Sequence, residues 1–251
     1  MCCFSRQINS VENTRIFARV LPENRQALVY AMSLDTPADV AMILPIPVAA
    51  DSGEEAVKFI SLEKYPEFFT QLQRCFPVAR SFGWKSDELP KAAAGAAPLK
   101  VHEVGAFNAS FVPTIKDFSR LDEQFRLPNG VWEKLDGYAK YGFAVFKLRK
   151  GNSKVHPMAF TFPTAMPGKL FFPTVHIHDG EVHARAEFDH VLYCQPTPRG
   201  LVEPHRWEES NVLAALHVDM RKSQGLVTGN SHIYRRTMNG TLANKDLIVT
   251  V

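Results

Sequence analysis

The sequence predicts an α+β fold of mostly antiparallel sheets with four to five helices. Three observations lead there. Period-two segments recur along the chain, and apolar faces at helical spacing interrupt them. The two kinds of segment also lack the regular alternation that a parallel sheet requires. The 251 residues read as a single compact domain, 1–251, long enough to bury a large core. A second arrangement divides the chain into lobes 1–90 and 99–251. It rests on Pro90 to Pro98 (PKAAAGAAP), which has the composition of a surface linker.

Thr14–Leu21 and Arg25–Leu34 read as strands around the turn residues Pro22, Glu23 and Asn24; Leu28, Tyr30, Met32 and Leu34 alternate cleanly. Val40–Val48 is apolar on both parities, as in a strand buried on two sides, and Pro45 and Pro47 place its end at an edge or bulge. Ser52 with Glu55 forms a capping box ahead of Ala56, Val57, Phe59 and Ile60, which predicts a helix. Tyr65, Phe68, Phe69, Leu72 and Phe76 trace the face of another, ended by Pro77. Leu99–Val104 and Phe107–Val112 read as a strand pair around Gly105-Ala106. Thr114 then caps a helix with Ile115, Phe118, Leu121 and Phe125 inward, and Asn129 caps one carrying Val131, Trp132, Leu135 and Tyr138. Phe143–Lys150 and His156–Pro163 are strands. Ser210–Ser223 fits a helix, through Val212, Leu213, Leu216 and Met220, or a strand; Ser231–Met238 and Asp246–Val251 close the chain around a turn at Asn239-Gly240.

The segments TRIFAR, VYAMSLDTPADVAMILPIPV, VGAFNASFVPTIKDFSRLDEQF and YAKYGFAVFKL, behind an opening Cys, resemble an uncharacterised bacterial family with a domain of unknown function. Its members share a Cys-rich start and an aliphatic-Pro-x-Pro strand end, and the match spans about the first two-thirds of the chain. The resemblance implies a bacterial source and the fold described, and carries over no activity or catalytic residue. Members of that family look secreted, whereas no leader is expected for this chain.

Charge and hydropathy bound the partners. Apolar residues make up 45% and charged residues 22%, ordinary for a globular protein. The net charge of +3 is interspersed rather than clustered, which argues against nucleic acid. The longest apolar run, Val40–Ala50, is too short to span a membrane. With no apolar signal segment in the first thirty residues, the expected setting is cytoplasmic and the partner a small molecule or a protein. Cys2, Cys3, Cys75 and Cys194 are then expected as thiols, without any CxxC pairing.

One stretch suggests chemistry. In Leu170–Cys194 (LFFPTVHIHDGEVHARAEFDHVLYC), Asp179-Gly180 predicts a tight hairpin with His176 opposite His183 and His178 opposite Glu181. Strand alternation then separates a core face (Val175, Ile177, Val182, Ala184, Ala186) from a face carrying His176, His178, Glu181, His183 and Glu187. Cross-strand imidazoles at such spacing reach one ion, so the leading reading is a metal-binding protein holding Zn, Cu, Ni or Fe on His176, His178 and His183. Glu181 or Glu187 would supply a fourth ligand or an outer hydrogen bond, and an open position would suit a metal-dependent hydrolase or oxidase. The bland counterpart is a solvated polar ribbon. His190 and Cys194 fall on the core parity with Phe188 and Leu192.

Two other functions compete. Removal of Met1 would leave Cys2 with its own α-amine as base, the arrangement of an N-terminal-cysteine amidohydrolase. The other is a non-catalytic binding or assembly domain. Arg235-Arg236 and Arg221-Lys222 read as parts of a solvated face.

Overall fold

The computed structural model describes residues 2–77, 102–104, 107–127, 130–131, 136–177, 181–197 and 200–251; the side chains of residues 2, 102–104, 136 and 152–154 are not described. Two sheets face each other. The first has six strands in the order β11-β1-β4-β8-β7-β6, where β6 is His102–Val104 and β7 is Phe107–Val112, and the second has seven in the order β13-β14-β12-β2-β3-β9-β5. Strands that bear on the site are β1 (Cys2–Phe4), β2 (Ser10–Leu21), β3 (Arg25–Thr36), β4 (Val40–Ile46), β8 (Gly142–Leu148) and β9 (Gly151–Pro163). With them go β10 (Lys169–Phe172), β11 (His176–Ile177), β12 (Arg185–Gln195), β13 (Glu208–Glu209), β14 (Tyr234–Ala243) and β15 (Leu247–Thr250). β10 and β15 form a separate two-stranded ribbon. Pro90–Pro98 lies outside the described residues, and strands from before and after it neighbour one another in both large sheets.

Period two explains the layers. Met42, Leu44, Phe146, Leu28, Tyr30 and Phe160 fill the space between the sheets, together with Phe4, Ile16 and Leu192. The opposite parity of β4 and β8 (Ala41, Ile43, Val145) packs under Phe118, Leu121 and Phe125. The opposite parity of β2 and β3 (Phe17, Ala27, Val29) packs against Phe68, Phe69 and Leu72 of the helix α1 (Phe68–Arg74). β4 is therefore buried on both faces, as its unbroken apolar run predicts. Glu23 and Asn24 at the β2–β3 turn take positive φ, the backbone that a tight hairpin requires.

The structure corrects the fold class. The described residues are mostly β, with 46% strand and 12% helical residues rather than four to five helices. α1 is the one α-helix among the described residues, and the other helical pieces are 3-10 turns such as Ile115–Arg120 and Glu123–Phe125. Tertiary partners overrode local pattern. The Ser52 hydroxyl bonds back to the Ala49 carbonyl at 2.7 Å instead of capping a helix, while Phe59 and Ile60 join β5 (Lys58–Ser61) beside β9. In the 210–223 stretch the Ala214 and Ala215 amides bond the Ser231 and Gly229 carbonyls, not helical neighbours. The expected turn at Asn239-Gly240 is continuous strand, with Gly240 at φ +82° opposite Phe188. The helix expected after Asn129 lies partly outside the described residues. No helix among the described residues is long and apolar enough to cross a membrane.

Candidate functional site

The predicted histidine hairpin does not close. β11 pairs in parallel with β1, not with β12; Cys2 is opposite His176 and Cys3 opposite Ile177. His178, Asp179 and Gly180 lie outside the described residues, and His183 and Glu181 are exposed. The Glu187 carboxylate accepts the Thr241 hydroxyl.

His176 goes inward. Parity sends Val175 and Ile177 to the outer layer, so His176 turns into the space between the sheets. On β12 the alternation sends Phe188, His190, Leu192 and Cys194 into that space from the other sheet, as their parity predicts. The two imidazoles therefore meet across the sandwich. Their Nε2 atoms stand 3.0 Å apart, the rings stack at 4.7 Å, and Phe188 lies 4.5 Å from the His176 ring. His176 is 8% exposed and His190 1%.

A 3.0 Å contact between two ring nitrogens requires one to donate and the other to accept. The Asp189 carboxylate stands 3.5 Å from His190 Nδ1. That nitrogen is buried without a hydrogen-bond partner among the described residues. Burial pushes the His190 pKa below its ordinary value, and the nearby Asp189 raises it by less. His190 is thus biased toward its neutral form. β11 is clamped from the β14–β15 connection: the Asp246 carboxylate accepts the Thr174 and Val175 amides at 2.8 and 3.0 Å, and Asn244 accepts the His176 amide at 2.7 Å.

The metal-binding description is corrected by this placement. Among the described residues no group of three His, Cys, Asp or Glu side chains is arranged to hold a metal ion. Alternation along one ribbon predicts a shared histidine face; the separate partners of β11 and β12 put His176 inside and His183 outside. The sequence-predicted Cys2 does come beside the leading candidate, His176, though only its backbone is described. Cys3, Cys75 and Cys194 are buried, and burial raises the Cys75 thiol to about 11.

A second feature escaped the sequence reading. An open groove of about 570 Å³ is lined by His205, Arg206, Trp207, Glu208, Arg235 and Arg236 where β13 ends against β14. Adjacent positions on a strand point to opposite faces, so Arg235 and Arg236 do different things. Arg235 donates to Glu208 at 3.0 Å through Nε and lies 4.4 Å from the centre of the Phe76 ring. Burial chiefly, and the charge of Arg206 after it, lower the Arg236 pKa, while Glu203 raises it; Arg206 and Arg236 share the lining of the groove. The Arg235-Arg236 pair was the only sequence signal; nothing in spacing joins it to Arg206.

No family model matches the chain, and no curated protein does. Among solved structures, the crystal structure of baculovirus P35 is similar at 12% identity, with 96% of each chain covered and a TM-score of 0.48. P35 in the caspase-8/P35 complex is similar at 12% identity, with 96% of each chain covered and a TM-score of 0.45. A mutated baculovirus P35 after caspase cleavage gives 13% identity, 96% of this chain, 99% of that chain and a TM-score of 0.46.

Proposed function

We propose that this chain is a non-catalytic protein-binding scaffold. One observation carries the reading: large apolar side chains stand outward from backbone that is firmly tied down. Val202 is 66% exposed, Leu216 65%, Ile248 45% and Leu213 44%. Lone exposed apolar residues are ordinary on any surface, but these come in pairs. The Val202 amide bonds the Thr250 carbonyl at 3.2 Å, which ties Val202 to the edge of β15, the strand from which Ile248 projects. Leu213 and Leu216 flank a 3-10 turn (Ala214–Leu216) pinned by the Ala214 and Ala215 amide bonds at 3.1 and 3.0 Å. Backbone already ordered in the free protein lowers the entropy lost on association, so such anchors favour recognition of another protein.

A phage-displayed library of protein fragments, panned on the immobilised full chain, tests the reading. Bound clones are expected to weaken at least about tenfold on Val202→Asp or Leu216→Asp. Both variants should keep the parent melting temperature, because the altered side chains are solvent-facing. Clones that bind both variants as tightly as the parent would overturn the proposal.

A further inference from the structure

β14 has two unlike edges. Its inner edge pairs with β12 along ten residues, from Arg185↔Ala243 to Cys194↔Tyr234. Its outer edge meets only β13, a stub of two residues opposite Arg235 and Tyr234. From Arg236 to Ala243 no strand among the described residues covers that edge. The bond from the Asn244 amide to the Ala184 carbonyl fixes the phase of the ladder. Alternation from there turns the backbone groups of Thr237, Asn239, Thr241 and Ala243 outward. Arg185 donates to the Thr241 carbonyl at 2.5 Å and the Lys245 amide to the Ala243 carbonyl at 3.0 Å; no other outward backbone group from Thr237 to Ala243 has a hydrogen-bond partner among the described residues.

Natural edge strands are guarded by charge, proline or a covering element. The outward segment TMNGTLA (Thr237 to Ala243) has no lysine, proline or charged residue. Its side chains alternate between exposed (Thr237, Asn239, Thr241) and half-buried (Met238, Leu242), the pattern of a strand ready to be extended. The groove lies at the end of this segment. Its floor is rigid: Trp207 is 7% exposed and its ring lies 5.7 Å from Phe172 of the inter-sheet core. Its walls carry positive charge. Arg206 is 3.3 Å from Glu203, an exposed pair, and Arg235 is engaged by Glu208. The Arg236 side chain has neither hydrogen bond nor ion pair among the described residues, and it is half-buried in the groove that Arg206 also lines.

We propose that this edge docks an extended acidic segment of a partner protein. The segment adds a strand to β14 between Thr237 and Ala243 and seats a carboxylate between Arg206 and Arg236. Backbone pairing supplies affinity without regard to sequence, and the carboxylate selects which strand binds. A guanidinium meets a carboxylate through paired N–H donors, and an anion here relieves the repulsion between two cations. Trp207 and the turn Pro204–Arg206 block continuation past the groove, so the acidic residue sits at the docked segment's groove end. In the antiparallel arrangement, collinear with β13, that is its C-terminal end. This inference rests on the protein-binding reading and names the chemistry of its partner.

The probe is an acetylated, amidated heptapeptide alternating Thr and Val with Asp at its last two positions, compared with the same peptide carrying Asn there. Fluorescence anisotropy on the full chain is expected to favour the Asp peptide about tenfold at low salt. Arg236→Gln or Arg206→Gln should erase that preference, and Asn239→Pro, which removes an outward amide, should weaken both peptides. Amide hydrogen exchange should slow at 237–243 when peptide is bound. If Asn239→Pro lowers the melting temperature, the Arg variants decide alone. Equal affinity for the two peptides, protection elsewhere, or preference for a single-stranded oligonucleotide overturns the inference. The apolar anchors give an independent check: Leu216→Asp leaves peptide binding intact. Failed peptide binding with displayed clones still sensitive to Leu216→Asp sinks this edge and spares the scaffold reading.

Discussion

Two pairs of nitrogen bases sit in this molecule, and the surroundings of each decide their state. His176 and His190 meet between the sheets, walled by Phe188 and the inter-sheet core, with Nε2 atoms 3.0 Å apart. Arg206 and Arg236 meet at the open end of the second sheet, where solvent reaches them. Burial makes charge expensive, and an imidazole can escape by staying neutral; a guanidinium cannot. The inner pair shares one Nε2 to Nε2 contact across the sheets, while His190 Nδ1 stays buried without a hydrogen-bond partner among the described residues. The outer pair keeps its charge and is completed by an anion from elsewhere. Similar chemistry serves architecture in one place and recognition in the other.

The largest effect should come from forcing charge on the inner pair. His190→Lys puts an ammonium where only a neutral ring fits, without a buried carboxylate to match it. We expect a loss of about 3–5 kcal/mol in urea denaturation. The same lysine at position 236 would change little. Near-equal losses at the two sites would remove the distinction between them.

That inner pair also shows how far the sequence could be read. Strand alternation was legible: β2, β3, β4, β8 and β9 lie close to where period two placed them, and His190 and Cys194 are inside as parity requires. The pairing partners were not. A two-residue turn at Asp179-Gly180 predicts that His176 pairs across to His183, yet β11 prefers the N-terminal strand, more than 170 positions away in the chain. Register between distant strands is set by sheet packing, which leaves no local trace. The helices failed for a related reason. At 114–125 the spacing of Phe118, Leu121 and Phe125 does mark one buried face, but a pair of 3-10 turns suffices to cover β4 and β8. The groove was least legible, because Arg206 and Arg236 belong to separate elements joined only by the fold.

A middle-sized effect follows from pH. His190 has a lowered pKa in the folded protein, so between that value and its ordinary 6.5 the unfolded chain binds more protons. Stability is therefore complete above about pH 6.5 and falls as the solution is acidified, with a slope of up to about 1.4 kcal/mol per pH unit. The facing groups are His176 and the Asp189 carboxylate, and the latter stays ionised through that window. Urea midpoints between pH 5 and 8 measure the slope. His190→Gln should flatten it, and a slope unchanged in that variant would assign the acid sensitivity to other groups.

The smallest effect is the most telling about the outer pair. Arg236→Gln removes a cation that has no ion pair among the described residues and shares the groove with Arg206. Stability should shift by no more than about 0.5 kcal/mol, toward the variant being the more stable. Salt separates the causes. Like-charge repulsion near the surface is screened over roughly 8–10 Å at moderate ionic strength, so added sodium chloride should stabilise the parent more than the variant. A guanidinium needed for packing would behave oppositely: its loss would destabilise by more than about 1 kcal/mol at every salt concentration. Denaturation of both proteins at low and high salt distinguishes the two. Only the first outcome leaves Arg236 as a charge that the fold itself does not use.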